Sequence, residues 1–273
     1  MASSDNPFYK RPWRIIPYQR FQGAMNMAVD SYLAKMCKEH DPPILRFYGW
    51  QPYCLSLGYH QKSKELNLQK LHENGYEAVR RPTGGSAIFH ARELTYSIIV
   101  PKPFSDHRKI YRDFHALLER SLRKLGYKID LHEQAENSSY LNRGAETFAC
   151  FNRSAFTELT YMGKKLVGSA QKIMPNALLQ HGSIMIGSEH QLITDFLNFS
   201  DEEKKQYQRK LRQSSCCLDE ISDRQSNAWE ITDKIVNELA INKRNSIYYQ
   251  QITENELLGA AEIAPNFKVT DSR

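Results

Sequence analysis

Three side chains in the middle of the chain carry groups suited to nucleophilic chemistry. Cys150 lies in the segment ETFACFNRS, Lys165 in GKKLVGSAQ and His181 in LQHGSIMI. A cysteine attacks as its thiolate, so a neighbouring cation or base must lower a thiol pKa that starts near about 8.5. Lys165 or His181 supplies that group if the fold brings it to Cys150. The alternative is a small buried apolar side chain at Cys150, with a solvated Lys165 and a hydrogen-bonded core histidine at His181.

A second motif is the loop RRPTGGSAIFH, which starts at Arg80 and ends at His90. The Gly84-Gly85 pair can take backbone angles closed to other residues and lets a ligand lie against bare N–H groups. Arg80 and Arg81 put permanent positive charge at the mouth of this loop. The alternative is an ordinary β-turn with solvated arginines.

Composition restricts the class of protein. The 273 residues are 41% hydrophobic and 11% aromatic, which is enough for a sizeable core and excludes a disordered chain. A formal net charge of +6 suits an acidic protein partner as well as nucleic acid. Because no Lys/Arg-dense run is interleaved with aromatic residues, we expect no nucleic-acid binding. With no apolar leader and no run near ~18 apolar residues, the chain is predicted to be cytoplasmic, without membrane contact.

The five cysteines do not indicate a metal site. They include no CxxC pair and their spacing is irregular, so neither a zinc site nor a disulfide framework is expected. We therefore predict no bound metal.

Hydrophobic periodicity predicts an α+β fold in which strands with short turns precede a helical tail. The predicted strands cover residues 13–18, 44–50, 54–59, 77–81, 86–89, 94–100, 127–131, 155–161, 164–167 and 178–186. The predicted helices cover residues 23–40, 66–74, 110–125, 191–198, 201–211, 228–240 and 254–263. We expect one domain over residues 1–273, with a core at about 13–190 and a helical C-terminal extension at about 191–263.

The order and spacing of the motifs resemble the lipoate/biotin protein ligase and octanoyltransferase family. The resemblance rests on RRPTGGSAIFH, ELTYS, GKKLVGSAQ and LQHGSIMI, and on MNMAVDSYL and PPILRFYGWQPYCLSLGYHQ upstream. It covers roughly residues 13–190, and it is strongest to the octanoyl-[acyl-carrier-protein]:protein N-octanoyltransferase branch. The combination of motifs is specific, although each motif alone is less so.

This resemblance implies a fold and a set of site residues. The implied fold is a mixed β-sheet flanked by helices, in which the RR-x-x-GG loop and the next strand line a tunnel for an eight-carbon acyl chain. Lys165 would reach the acyl carbonyl, and Cys150, in the C-F-x segment, would be the nucleophile of the transferase branch. Substrate binding is implied for the remaining motif residues, namely Arg80, Arg81, Thr83, Gly84, Gly85, Ser86, His90, Gly168, Ser169, Ala170, His181 and Gly182.

The implied activity is transfer of octanoyl from acyl carrier protein to a lysine of an apo lipoyl-domain protein, such as glycine cleavage H protein or a dehydrogenase E2. It needs no cofactor, and a monomer is the expected state. The net positive charge, with Arg80, Arg81, Lys62 and Lys64 near the entrance, would attract both acidic partners. Two alternatives remain: an ATP-dependent lipoate–protein ligase in which Cys150 is incidental, and a non-catalytic acyl or lipoyl-domain binder.

Three residues depart from the pattern of the family. Asn152 stands where related transferases often carry an acidic residue, and Ala91 replaces the usual aspartate after the histidine. Ser86 stands where a third glycine or a basic residue is common. Because phosphates need the closest backbone approach, the missing glycine disfavours adenylate binding more than acyl-thioester binding.

Overall fold

The structure is a computed structural model that describes residues 11–133, 157–223, 225–243 and 246–270. The strands are β1 (Trp13–Phe21), β2 (Ile44–Trp50), β3 (Cys54–Leu57), β4 (Glu77–Arg80), β5 (Ile88–His90), β6 (Glu93–Pro101), β7 (Asp130–Glu133), β8 (Thr157–Tyr161), β9 (Lys164–Lys165), β10 (Val167–Ile173), β11 (Ala177–Met185) and β12 (Ile247–Tyr249). The α-helices are α1 (Gly23–Met36), α2 (Leu68–Glu73), α3 (His107–Lys124), α4 (Asp201–Ser214), α5 (Ala228–Lys243) and α6 (Glu254–Ile263).

A six-stranded mixed sheet forms the centre of the fold, in the order β10-β11-β6-β2-β1-β12. Strands β2, β6 and β11 are buried at every position, because helices cover both faces of the sheet. Helices α3 and α5 pack on one face and α1 and α6 on the other. The polar side chains on these central strands are therefore buried and need partners inside the protein.

The fold also has two three-stranded sheets, and each carries part of a sequence motif. The sheet β4-β3-β5 carries the RRPTGG loop between β4 and β5. The sheet β7-β8-β9 includes a tight hairpin at Met162 and Gly163, whose φ angles of 48° and 79° are typical of a type I′ turn. The hairpin that the sequence predicts at this point is confirmed.

The helical tail differs from its prediction in two places. The helix predicted over residues 191–198 is a 3₁₀ helix over Ser188–Phe196 and not an α-helix. Between α5 and α6 the chain adds β12, which pairs parallel with β1 at the edge of the large sheet. A three-residue strand gives no periodicity to detect, so pairing with a distant strand decides its conformation.

Other local predictions are confirmed or need extension. Ser200 and Thr253 begin α4 and α6 with capping boxes, as the acidic first turns indicate. Strand β10 continues to Ile173, well beyond the predicted end at Val167, because full antiparallel pairing with β11 accommodates its polar residues. Of the helices in the described ranges, none is long and apolar enough to cross a membrane.

Candidate active site

A cavity lies where β10 and β11 meet β5 and α1. Its lining comprises Met27, Tyr48, Trp50, Arg81, Ile88, His90, Thr95, Gly168, Ser169, Ala170, His181, Gly182 and Ser183. The structure thus brings residues of all six sequence motifs to one cavity.

Antiparallel pairing of β10 with β11 joins the motifs GKKLVGSAQ and LQHGSIMI. Ser169 on β10 pairs with Gly182 on β11, and Ala170 pairs with His181. These two motifs therefore form adjacent strands of one wall of the cavity.

Arg81 is an internal part of the RRPTGG loop. Its side chain is buried, and its guanidinium donates hydrogen bonds to the carbonyl oxygens of Gly84 (2.9 and 3.1 Å), Ser86 (2.7 Å) and Ser56 (3.2 Å). The prediction that it offers charge to a partner surface is therefore wrong. Half-buried Arg80 also donates to backbone carbonyls, including that of Gly58 at 3.1 Å.

The two glycines of this loop have different roles, and a pair of substitutions separates them. Gly85 has a φ of +91°, and a Cβ there would lie 2.9 Å from Arg81 Nη2, whereas a Cβ on Gly84 would meet nothing within 4 Å. Gly85→Ala is expected to reduce the free energy of unfolding by about 1–3 kcal/mol, because a non-glycine residue is strained at this angle. Gly84→Ala is the matched control and should change it by less than about 0.5 kcal/mol. Urea titration measures both, and equal stabilities would contradict the prediction.

His90 is held between a hydroxyl and a carboxylate. Its Nε2 lies 2.7 Å from Ser56 Oγ and its Nδ1 lies 2.8 Å from Glu93 Oε1. The ring stacks on Trp50 with centroids 3.9 Å apart, and Trp50 Nε1 donates to Thr95 Oγ1 at 2.7 Å. This network fixes Trp50 and His90 as rigid lining residues of the cavity.

His181, like His90, is held between a hydroxyl and a carboxylate. Its Nε2 lies 2.6 Å from Thr83 Oγ1, and its Nδ1 lies 3.4 Å from Asp30 Oδ2. Burial lowers the pKa of His181, so the ring is neutral at pH 7. Both of its nitrogens face hydrogen-bonding partners, so His181 holds Thr83 and the loop in place.

Asp30 is the centre of this second network. It accepts hydrogen bonds from Arg46 (2.7 Å), Tyr48 (2.9 Å) and Ser97 (2.8 Å), all of them buried. Burial alone would raise the pKa of Asp30, but the Arg46 guanidinium and the hydrogen bonds outweigh it and lower that pKa. The carboxylate is therefore ionised and structural at neutral pH.

Ser169 connects the cavity to helix α3. Its Oγ lies 2.6 Å from Tyr96 Oη and 2.9 Å from His115 Nε2. Burial lowers the pKa of His115 to about 3, and the charge of Lys165 contributes in the same direction. No sequence motif marks His115, because it lies within an amphipathic helix whose apolar spacing carries no sign of a site.

Lys165 is buried beside the cavity and is not one of its lining residues. Its Nζ forms an ion pair with Glu158 Oε1 at 2.8 Å across the β8–β9 hairpin. The alternative of a solvated Lys165 is wrong. Because the charge of Lys165 acts on His115, which bonds Ser169, the lysine is electrostatically part of the site.

The other predicted site residues lie either in the loop after Arg81 or outside the described residues. Thr83, Gly84, Gly85 and Ser86 belong to the loop that Arg81 and His181 hold, outside the set that lines the cavity. Cys150 lies outside the described residues, as does Asn152.

Comparison with known proteins identifies the family. Residues 22–240 match the model of the lipoyl protein ligase A/B catalytic domain. The chain belongs to this family. Its curated relatives include octanoyltransferase LipM of Brevibacillus brevis, 35% identical over 269 residues that cover 95% of this chain and 97% of the relative. Octanoyltransferase LipM of Clostridioides difficile is 42% identical over 180 residues, 64% of this chain and 65% of the relative.

Solved structures of the family share the fold. A lipoate-protein ligase A bound with ATP superposes with a TM-score of 0.74 at 21% identity, covering 93% of this chain and 94% of the other. A bipartite lipoate protein ligase from Thermoplasma acidophilum gives a TM-score of 0.75 at 20% identity, covering 93% and 92%. The predicted α+β lipoate ligase-like fold is confirmed, as is the prediction that the chain is an acyltransferase of this family.

Proposed function

We propose that this family member transfers an octanoyl group from octanoyl-acyl carrier protein to a lysine of an apo lipoyl-domain protein, through a thioester on Cys150. The observation that carries the proposal is the cavity built from the RRPTGG, GSAQ and HGS segments, with Lys165 buried next to it. The octanoyltransferase name of the relatives supports the same reaction.

The lining of the cavity suits an acyl chain. Met27, Tyr48, Trp50 and Ile88 give it an apolar surface. Since Trp50 is fixed by stacking and hydrogen bonds, the cavity has little freedom to widen for a longer or branched chain.

In the first half-reaction, the Cys150 thiolate attacks the carbonyl carbon of the donor thioester. A new C–S bond to Cys150 forms and the C–S bond to the carrier breaks. The Lys165 ammonium stabilises the oxyanion and gives a proton to the departing carrier thiolate. The products are octanoyl-Cys150 and the carrier thiol.

In the second half-reaction, the lysine amine of the acceptor attacks octanoyl-Cys150. The C–N bond forms and the C–S bond breaks, which returns the Cys150 thiolate. Conversion of a thioester to an amide is downhill, so the reaction needs no ATP. The proposal therefore includes no cofactor.

A mass-spectrometric assay tests this function against the ATP-dependent ligase. The protein is mixed with octanoyl-acyl carrier protein without ATP, and its intact mass is followed. We expect a hydroxylamine-labile octanoyl adduct that forms on the wild type and is missing from Cys150→Ala.

The other outcomes assign the protein differently. Acylation of a lipoyl domain that requires ATP and persists in Cys150→Ala would establish the ligase. Absence of transfer in both formats would leave an acyl-chain or lipoyl-domain binder.

The partners and organisation belong to the same proposal. The acceptor is the glycine cleavage H protein or a dehydrogenase E2, and the enzyme works as a cytoplasmic monomer without nucleic acid or membrane. Residues 1–273 act as one catalytic unit, which is supported by β12 and α6 of the C-terminal part packing against β1 and α1.

A further inference from the structure

The β8–β9 hairpin carries a buried ion pair beside the cavity, and we propose that its carboxylate, Glu158, is the positioning residue for Lys165. The inference rests on the proposed function, in which Lys165 acts on the acyl carbonyl. The pair joins Glu158 Oε1 to Lys165 Nζ at 2.8 Å, with side-chain exposures of 10% and 6%. Glu158, like His115, lies outside the sequence motifs.

Hairpin geometry determines which carboxylate meets the lysine. Thr160 pairs with Lys165, and Glu158 precedes Thr160 by two residues, so it lies on the same face of β8. The β8–β9 register is fixed further by the bond from Leu166 N to Leu159 O at 2.9 Å. A one-residue change in register would turn Glu158 to the opposite face and separate the pair.

The backbone of Lys165 is also held from the side of helix α4. Cys216 N donates to Lys165 O at 3.0 Å, at the end of the segment that follows α4. With the backbone fixed by these bonds, the four-carbon side chain has one remaining freedom, its own rotamers. The bond to Glu158 restricts those rotamers and so sets the position of Nζ.

Stability alone is a weak reason for a charged pair at this position. Taking two ions out of water costs several kcal/mol per ion, and apolar replacements of similar volume are often as stable or more stable. The pair does, however, hold a positive charge at a fixed point whose field reaches His115, the hydrogen-bond partner of Ser169 in the cavity. The arrangement supplies a fixed ammonium next to the acyl site.

The carboxylate also provides for the proton cycle of Lys165. When Lys165 gives its proton to the carrier thiolate, Glu158 remains as a buried anion beside a neutral amine, which favours return of a proton to Nζ. In the second half-reaction the acceptor ammonium loses two protons, one to Lys165 and one to solvent. The starting state, with Cys150 as thiolate and Lys165 as ammonium, is thereby restored.

Substitution of Glu158 by glutamine tests the inference, because it keeps the shape and removes the charge. We expect the rate of Cys150 acylation in Glu158→Gln to fall about tenfold or more. The unfolding free energy is measured beside the rate. A merely structural role would change the free energy of unfolding without this loss of rate.

Other titratable groups lie around the pair. They include His115 on α3, His132 opposite Glu158 on β7, Lys164 next to Lys165, and Cys216. Burial raises the pKa of Cys216 to about 12, so its thiol stays neutral through the assay range.

An ion pair between helices α3 and α5 provides the control. Glu238 on α5 is also a buried carboxylate that pairs with a lysine, Lys124 at the end of α3. Glu238→Gln should keep the wild-type rate of Cys150 acylation. Glu158→Asp, which keeps the charge on a shorter side chain, should recover part of the rate that Glu158→Gln loses.

The result that would overturn the inference is distinct from failure of the proposed function. If Glu158→Gln or, should that variant not fold, Glu158→Ala has the wild-type rate while Lys165→Met is inactive, Glu158 does not position Lys165. If Lys165→Met itself acylates at the wild-type rate, the role of Lys165 in the proposed function fails. Recovery of Glu158→Ala by added acetate, with no recovery of Lys165→Met, would support the inference further.

Discussion

Lys165→Met is expected to lose acyl transfer and to be markedly less stable than the wild type. Loss of a positioned general acid and of the charge that stabilises the oxyanion should reduce the rate of Cys150 acylation by about 10²–10⁴-fold. The same change leaves Glu158 buried without its lysine, and breaking a buried ion pair in this way costs about 3–5 kcal/mol. Intact-mass kinetics and urea unfolding measure the two effects separately.

A double substitution separates catalysis from folding. Lys165→Met with Glu158→Gln removes both charges, so most of the lost stability should return while the transfer rate stays low. Lys164→Met, at the half-buried neighbouring position, is the control and should keep the wild-type rate. A double variant that transfers octanoyl at the wild-type rate would remove Lys165 from the mechanism.

Asp30→Ala is expected to reduce the free energy of unfolding by about 3–5 kcal/mol, because it leaves the Arg46 guanidinium buried without a counter-ion. Asp30 and Arg46 are both completely buried and form a bond of 2.7 Å. Since Asp30 also faces His181, which holds Thr83, the variant should have a disordered loop and a lower transfer rate. Urea unfolding measures the first effect and the acylation assay the second.

The pH dependence of the same carboxylate gives an independent check. The pKa of Asp30 is lower in the folded protein than its ordinary value of 3.8, so its contribution to stability is complete above about pH 4. That contribution is lost as pH falls through the folded pKa. Asp30→Asn should therefore show a weaker acid dependence of stability below about pH 4 than the wild type.

An exposed pair provides the comparison for Asp30. Lys109 and Asp113 form an i,i+4 pair on α3 at 3.1 Å, with side chains partly open to solvent. Asp113→Ala should cost at most about 1 kcal/mol, since exposed pairs contribute little. If Asp30→Ala costs no more than Asp113→Ala, the network around Asp30 is not a main support of the fold.

Local patterns in the sequence predict much of the fold. The α1 helix, the central strands, the Met162-Gly163 hairpin and the two capping boxes follow from periodicity, turn residues and caps, all of which act within a few residues. Strand β12 and the polar half of β10 depend instead on partners elsewhere in the chain.

The candidate site shows the same division. Gly168, Ser169, Ala170, His181 and Gly182 come together as predicted around one cavity, because each motif is a contiguous segment that one strand can present. Glu158 and His115 have no motif of their own, and their contacts arise only when a hairpin and a helix pack against β10. The burial of Arg81 was not predicted for a related reason. Residue type does not show whether an arginine contacts solvent or the carbonyl oxygens of its own loop.

The pairing of β1 with β12 has a consequence for the order in which the protein can assemble. Trp13 pairs with Ile247, and Arg14 binds Glu256 at 2.6 Å, so β1 obtains its outer neighbour from a segment that is synthesised much later. During translation, β1 therefore has an unpaired edge until about residue 250 has left the ribosome. Unpaired edges of this kind are sites of aggregation, and pairing across such a long separation is slow. A ribosome stall between α5 and β12 should thus leave this edge open and promote aggregation.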